Sequence, residues 1–211
     1  MTLCDIGNTT AKFYKDGVVR YMENSQFESY EPSERIYFIS VNAKFKEKLE
    51  KNENFFDLEP FYELDTEYKG LGIDRVAACT EIKDGVIVDA GTAITLDLME
   101  NSRHKGGVIM PGIYTFLNSY AEISPRLNVV LNTQIDLEKL PNRTVDAVSY
   151  GLIKSVILLI KDFAKDRTIY FTGGDGHYLS QFFSNSIYDR NLIFRSMLNL
   201  LKQNSMSSTV Y

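Results

Sequence analysis

The feature that most constrains this chain is a short acidic turn set between apolar segments, and it occurs twice. Residues 3–14 read LCDIGNTTAKFY and residues 86–98 read VIVDAGTAITLDL. In each, an apolar run of strand length ends at an aspartate, passes a glycine and hydroxyl residues, and resumes as a second apolar run. The aspartates, Asp5 and Asp89, are 84 residues apart. A tight turn joining two paired strands accommodates that order, and two copies call for two similar units in one chain.

The segments around the turns extend the symmetry. Residues 2–6, 11–15 and 18–22 are expected to be strands, the last two joined by Asp16-Gly17, a strong hairpin signal. RIYFIS (35–40) has strand composition, AKFKEKLEKN (43–52) reads as a helix, and FFDLEPFYEL (55–64) holds a further strand. RVAACTEI (75–82) has helical spacing. The pattern then restarts, with strands at 86–91, 93–98 and 105–112 and a helix over 113–123. Over 142–163, Val145, Val148, Leu152, Val156, Leu159 and Phe163 recur at helical intervals. TIYFTGGDG (168–176) is strand, double-glycine turn and then helix, and residues 202–211 read as a frayed end. No linker rich in Pro, Gly or Ser interrupts the chain. The economical architecture is α/β, a duplicated β-β-β-α-β-α unit with halves 1–84 and 85–211 and a cleft between them.

Bulk properties exclude several classes. A chain of 211 residues with 44% hydrophobic and 24% charged residues suits a soluble globular protein. Its net charge of −5 advertises no face for nucleic acid or an anionic membrane. No apolar run approaches the ~20 residues of a membrane span, and the N-terminus has no signal-peptide pattern, so a cytoplasmic protein is expected. Cys4 and Cys79 sit in apolar segments, where buried thiols are the simple reading. His104 and His177 flank turns without ligand spacing and read as surface residues. The 13 Tyr and 13 Phe read as core and interface material, not a base-stacking platform.

What could such turns hold? A phosphate near a backbone needs N–H groups aimed at it and no Cβ in the way, which glycine allows. Thr9, Thr10 and Thr92 add hydroxyl donors, and Lys12 adds a point charge. Asp5 and Asp89 would repel phosphate directly, so they suit a bridging cation such as Mg²⁺. Alternatively each turn is a plain hairpin whose Asp and Thr cap backbone groups. Duplication favours nucleotide binding.

The stretches DIGNTTAK, GLGIDR, DAGTAITLD, GGVIMPG and NRTVDAVSYG stand in the order found in type III pantothenate kinases, which this sequence resembles from Asp5 to the glycines at 173–174. The resemblance implies duplicated ribonuclease H-like halves of the actin-like ATPase superfamily, with ATP in the cleft. It implies ATP-dependent phosphorylation of pantothenate, the first step of coenzyme A synthesis. It also implies a homodimer that builds its substrate pocket from both subunits and needs Mg²⁺ and a monovalent cation, K⁺ or NH₄⁺.

By the same resemblance, Asp5, Ile6, Gly7, Asn8, Thr9, Thr10, Ala11 and Lys12 form the first ATP-phosphate turn, with Asp5 toward Mg²⁺. Thr92 makes a second phosphate contact, and Asp89 holds the monovalent cation. Gly72, Ile73, Asp74 and Arg75 match the substrate motif, whose aspartate is the general base. Thr144 and Tyr68 match substrate contacts, although YKGLG is a shorter spacing than the family's and lacks its proline. Simpler roles stand beside these. Asp74-Arg75 and Thr144 could cap helices, Asp97 could be a solvent-facing strand carboxylate, and TGGDG could be a helix-start turn or the adenosine-side turn. Outside this activity stand a sibling kinase for another small alcohol, such as a sugar, and a non-catalytic regulator of gene expression on the same fold.

Overall fold

A computed structural model of the protein describes residues 1–207. Three strands open the chain: β1 (Thr2–Ile6), β2 (Thr10–Lys15) and β3 (Val18–Glu23). Every residue of β1 is buried, as an apolar strand between two neighbours must be. Asp16 and Gly17 both take positive φ, 49° and 84°, the signature of the right-twisted two-residue hairpin. A single turn, α1 (Asn24–Phe27), leads to β4 (Ile36–Ser40), α2 (Lys46–Lys51), β5 (Phe55–Asp57), β6 (Asp65–Thr66) and α3 (Ile73–Thr80).

The second set of elements is β7 (Gly85–Ala90), β8 (Ala93–Glu100), β9 (Arg103–Pro111), α4 (Ile113–Ile123), α5 (Thr144–Ala164), β10 (Ile169–Thr172), α6 (Gly176–Ser180) and β11 (Ser186–Tyr188). The last helix, α7, spans Leu192–Ser207. It takes in much of the segment expected to fray; residues 208–211 lie outside the described residues. No helix among the described residues is long and apolar enough to cross a membrane.

The chain forms two compact units. The first holds residues up to Lys83, Ser102–His104 and α7, and the second holds Asp84–Asn101 and Lys105–Arg190. The first unit's sheet runs β3-β2-β1-β4-β5. β1 is antiparallel to β2 and parallel to β4, and β4 is parallel to β5. The second sheet contains β11-β10-β7-β8-β9, and β6 joins β9 through Arg103 and His104. Here β7 is antiparallel to β8 and parallel to β10, which is parallel to β11. Both units thus repeat one order, third-second-first-fourth-fifth, and the acidic turn follows the first strand each time.

Each unit packs its own core. Cys4, Ile6, Ala11, Phe27, Ile36, Phe38 and Phe45 close one side of the first sheet. In the second, the α5 stripe Val148, Leu152, Val156 and Ile160 packs with Val86, Val88, Ile94 and Leu96. In the first unit, α7 is joined to α3 by Glu81. That carboxylate accepts from Arg195 Nε and from Asn199 Nδ2, each at 3.1 Å. Ser196 adds contacts to the hydroxyls of Thr80 (3.0 Å) and Tyr62 (3.1 Å), and burial pushes the Tyr62 phenol up to about 12.

Candidate functional site

In the first unit the acidic turn is a closed loop of backbone. The Gly7 amide donates to the Thr10 carbonyl at 3.0 Å, and β1–β2 register places Lys12 opposite Asp5. Lys12 Nζ lies 3.1 Å from Asp5 Oδ2, and Asp5 is only 4% exposed. Ile6 and Ala11 are fully buried and pair with each other across the hairpin, whereas Asn8 and Thr9 are exposed. The Asn24 and Asn42 side chains both donate to the Gly7 carbonyl, at 3.1 and 3.3 Å. In a trans peptide this directs the Asn8 N–H to the opposite side, as a phosphate turn requires. Sequence reading missed both asparagines, because neither stands in a motif.

Asp74 is the second residue of α3. The helix is capped by Gly72 with no side-chain cap bond, so Asp74 does not serve as the N-cap. Its Oδ1 instead accepts from the Arg75 amide at 2.8 Å. A Cβ on Gly72 would stand 2.6 Å from that Oδ1, so glycine there makes room for the carboxylate. Burial first, and then the charge of Asp5, raise the Asp74 pKa, while the Arg75 amide, Lys12 and Arg75 pull it down. Arg75 is buried at 6% exposure, with Cζ 5.0 Å from the ring centroid of Tyr68. The first unit therefore brings Asp5, Lys12, Tyr68, Gly72, Ile73, Asp74 and Arg75 together.

The second unit repeats the turn with different packing. Gly91 donates to Ala93 at 2.9 Å, and the exposed Thr92 accepts at its carbonyl from Gly112 N (2.9 Å) and Thr115 Oγ1 (2.8 Å). Asp89 is half-buried and faces Thr95 and Thr172 across its two neighbouring strands. Gly173, at φ +82°, comes so close that a Cβ would lie 2.4 Å from the Ala90 carbonyl and 2.5 Å from Asp89 Oδ1. The TGGDG turn is thereby docked on the acidic turn, and Asp175 N donates to the Ala90 carbonyl at 2.9 Å. Burial raises the pKa of Asp175. Thr144 is exposed as the first residue of α5; Arg143 is the N-cap, so Thr144 does not cap.

A profile of the type III pantothenate kinase family matches residues 22–166. A type III pantothenate kinase of Campylobacter hominis is 51% identical over 207 residues, covering 98% of this chain and 100% of that one. The chain belongs to the type III pantothenate kinase family. Among solved structures, a Campylobacter jejuni protein named for the Baf family of transcriptional activators is 47% identical with a TM-score of 0.91, covering 97% of this chain and 99% of that one. The ADPNP-bound activator of 2-hydroxyisocaproyl-CoA dehydratase from Clostridium difficile has a TM-score of 0.54 at 11% identity, covering 100% of this chain and 98% of that one. That likeness shows the fold alone. It is the actin-like ATPase fold, with its duplicated ribonuclease H-like halves.

Two expectations about this kinase's side chains need correction. His104 is not a surface residue: it is 2% exposed, because β9 pairs with β6 at that position, whereas His177 is exposed as expected. Asp97 is not solvent-facing either. It is 1% exposed in the middle of β8, opposite Ile87. Cys4 and Cys79 are buried and form no disulfide, and burial, then Asp5, push the Cys4 thiol well up.

Proposed function

We propose a division of labour among this chain's residues for the reaction of its family. The chain is an ATP-dependent pantothenate kinase. It transfers the γ-phosphoryl group of ATP to the primary alcohol of pantothenate, giving 4′-phosphopantothenate and ADP, the first step of coenzyme A synthesis. Asp74 accepts the alcohol proton as that oxygen bonds to the γ-phosphorus and the bond to the leaving ADP oxygen breaks. The observation carrying this role is a carboxylate with a raised pKa at a helix start, beside Lys12 and Arg75. A base tuned upward toward neutral pH is better matched to an alcohol than an ordinary carboxylate.

The turn from Asp5 to Lys12, closed by the Gly7 amide, holds ATP phosphate through the backbone N–H groups of Asn8, Thr9 and Thr10 and through the Lys12 ammonium, and Thr92 adds a second contact. Arg75 pairs with the pantothenate carboxylate beside Tyr68, Gly72 and Ile73 contribute backbone, and Thr144 is assigned a further contact to the acceptor. Phosphoryl transfer draws most of its rate from such positioning and charge.

Cations fit both acidic turns. Asp5 offers a buried hard oxygen donor at a strand end, suited to Mg²⁺ together with phosphate and water oxygens. Gly173 leaves open the flank of Asp89 Oδ1 that a Cβ would fill, with the Ala90 carbonyl oxygen beside it, and such hard oxygen atoms suit K⁺ or NH₄⁺. When bound, these cations neutralise charge on the phosphates. A cytoplasmic homodimer completes the reading, supported by the exposed apolar residues Tyr114 and Ile123 of α4 and Leu158 of α5.

An ADP-release assay over a panel of alcohols tests the function. Turnover should require ATP, pantothenate and Mg²⁺, and should rise with K⁺. Turnover on a sugar but not on pantothenate would make this chain a sibling kinase. A gene-expression role is favoured by one observation, the name of the Campylobacter jejuni structure. Absence of turnover with every acceptor would support it.

A further inference from the structure

Tyr68 is held by contacts that begin away from the reacting groups. Its amide donates to the Thr66 hydroxyl at 3.0 Å. The same hydroxyl lies 2.7 Å from Nδ1 of the buried His104, and either group can be the donor. Asp65 and Thr66 form a short parallel pair with Arg103 and His104. Arg103 flanks the pair on its exposed side, with Nε 3.6 Å from Asp65 and Nη2 2.5 Å from Glu67. The His104 ring is 5.9 Å from that of Tyr68, which carries the Arg75 guanidinium on its face.

The transfer chemistry itself needs neither Thr66 nor His104. A guanidinium, however, reads a carboxylate through a rigid planar fork, so its orientation decides how well it binds. The Tyr68 ring, with Arg75 Cζ 5.0 Å over its face, bears directly on that orientation. Tyr68 is 36% exposed in the loop that joins β6 to α3. The exposed Arg103 pairs add little, since solvent screens them. The bond to a buried imidazole is the firm anchor, because breaking it strands a buried polar atom.

We propose that Thr66 and His104 form a latch that holds Tyr68 against Arg75 and thereby sets affinity for the carboxylate-bearing acceptor. Both are positioning residues, acting through Tyr68. The inference rests on the reading that Tyr68 and Arg75 hold pantothenate.

Steady-state kinetics of Thr66→Val, Thr66→Ser and Tyr68→Ala test it. Thr66→Val, which removes both hydrogen bonds of the hydroxyl, should raise KM for pantothenate about 3- to 10-fold or more, with KM for ATP unchanged. Thr66→Ser, which keeps the hydroxyl, should restore the wild-type value. His104→Asn, which keeps a polar atom near the Nδ1 position, should outperform His104→Leu; if His104→Leu fails to fold, the Thr66 pair still decides. An unchanged pantothenate KM in Thr66→Val, or a parallel rise for ATP, overturns the latch. If Tyr68→Ala still raises pantothenate KM in that case, the acceptor-site reading stands alone. If Tyr68→Ala leaves it unchanged, both fall.

Discussion

Asp74 concentrates the tension between stability and function. Its carboxyl pKa is raised by burial and by Asp5, so folding favours the protonated form. The stability it contributes is fully present below the unfolded carboxyl value and is lost as pH rises through the higher folded value. At neutral pH the ionised group is thus a burden that Asn would remove. Asp74→Asn should raise Tm at pH 7.5, by ~2–4 °C if the gain is near ~1 kcal/mol, and the gain should vanish at low pH in a thermal melt series. In the wild type, kcat/KM for pantothenate should climb with pH through the raised Asp74 value and then level off, since only the ionised carboxylate takes a proton. A flat acidic limb in that profile would contradict the base role.

At the scale of elements, the turns were legible because they are local. Asp16-Gly17 announced a hairpin, and Asp-x-Gly between apolar runs announced a strand–turn–strand, with no distant residue needed. What the glycines pack against was not legible. Gly17 and Gly173 share nearly the same φ, +84° and +82°, yet a Cβ on Gly17 meets nothing, whereas on Gly173 it meets the Ala90 carbonyl at 2.4 Å. Gly17→Ala should therefore cost about 1–2 kcal/mol, the left-handed strain alone. Gly173→Ala should cost that plus about 1–3 kcal/mol of overpacking. Urea unfolding of the two variants side by side checks the difference, and equal losses would contradict this packing. The burial of His104, and of Asp97, which had no assigned role, escaped notice for a related reason. Each is a polar residue in or beside a strand, and burial there depends on which strand pairs alongside, something no spacing along the chain reveals.

For the molecule as a whole, duplication was readable from two short motifs because each heads the same run of strands. We propose that the repeat divides at 84/85. α7 was not foreseen as part of the first unit, since its ties to α3 run through Glu81 to Arg195 and Asn199, more than a hundred residues apart in sequence. The proposed dimer is testable at this scale. Leu158→Glu places a charge on an apolar residue that is 53% exposed, and sedimentation velocity should show the wild type as a dimer and the variant shifted toward monomer. An unchanged dimer would remove that face of α5 from the interface.

The central claim is that one carboxylate performs proton transfer while separate groups hold the nucleotide. Turnover of Asp74→Asn with ATP and pantothenate, measured beside its ATP affinity by calorimetry, addresses this most directly. The account predicts kcat lowered about 10²- to 10⁴-fold, with ATP Kd within about twofold of wild type because Asp74 does not hold phosphate. Near-normal turnover, or a collapse of ATP binding that accounts for the whole loss, would contradict it.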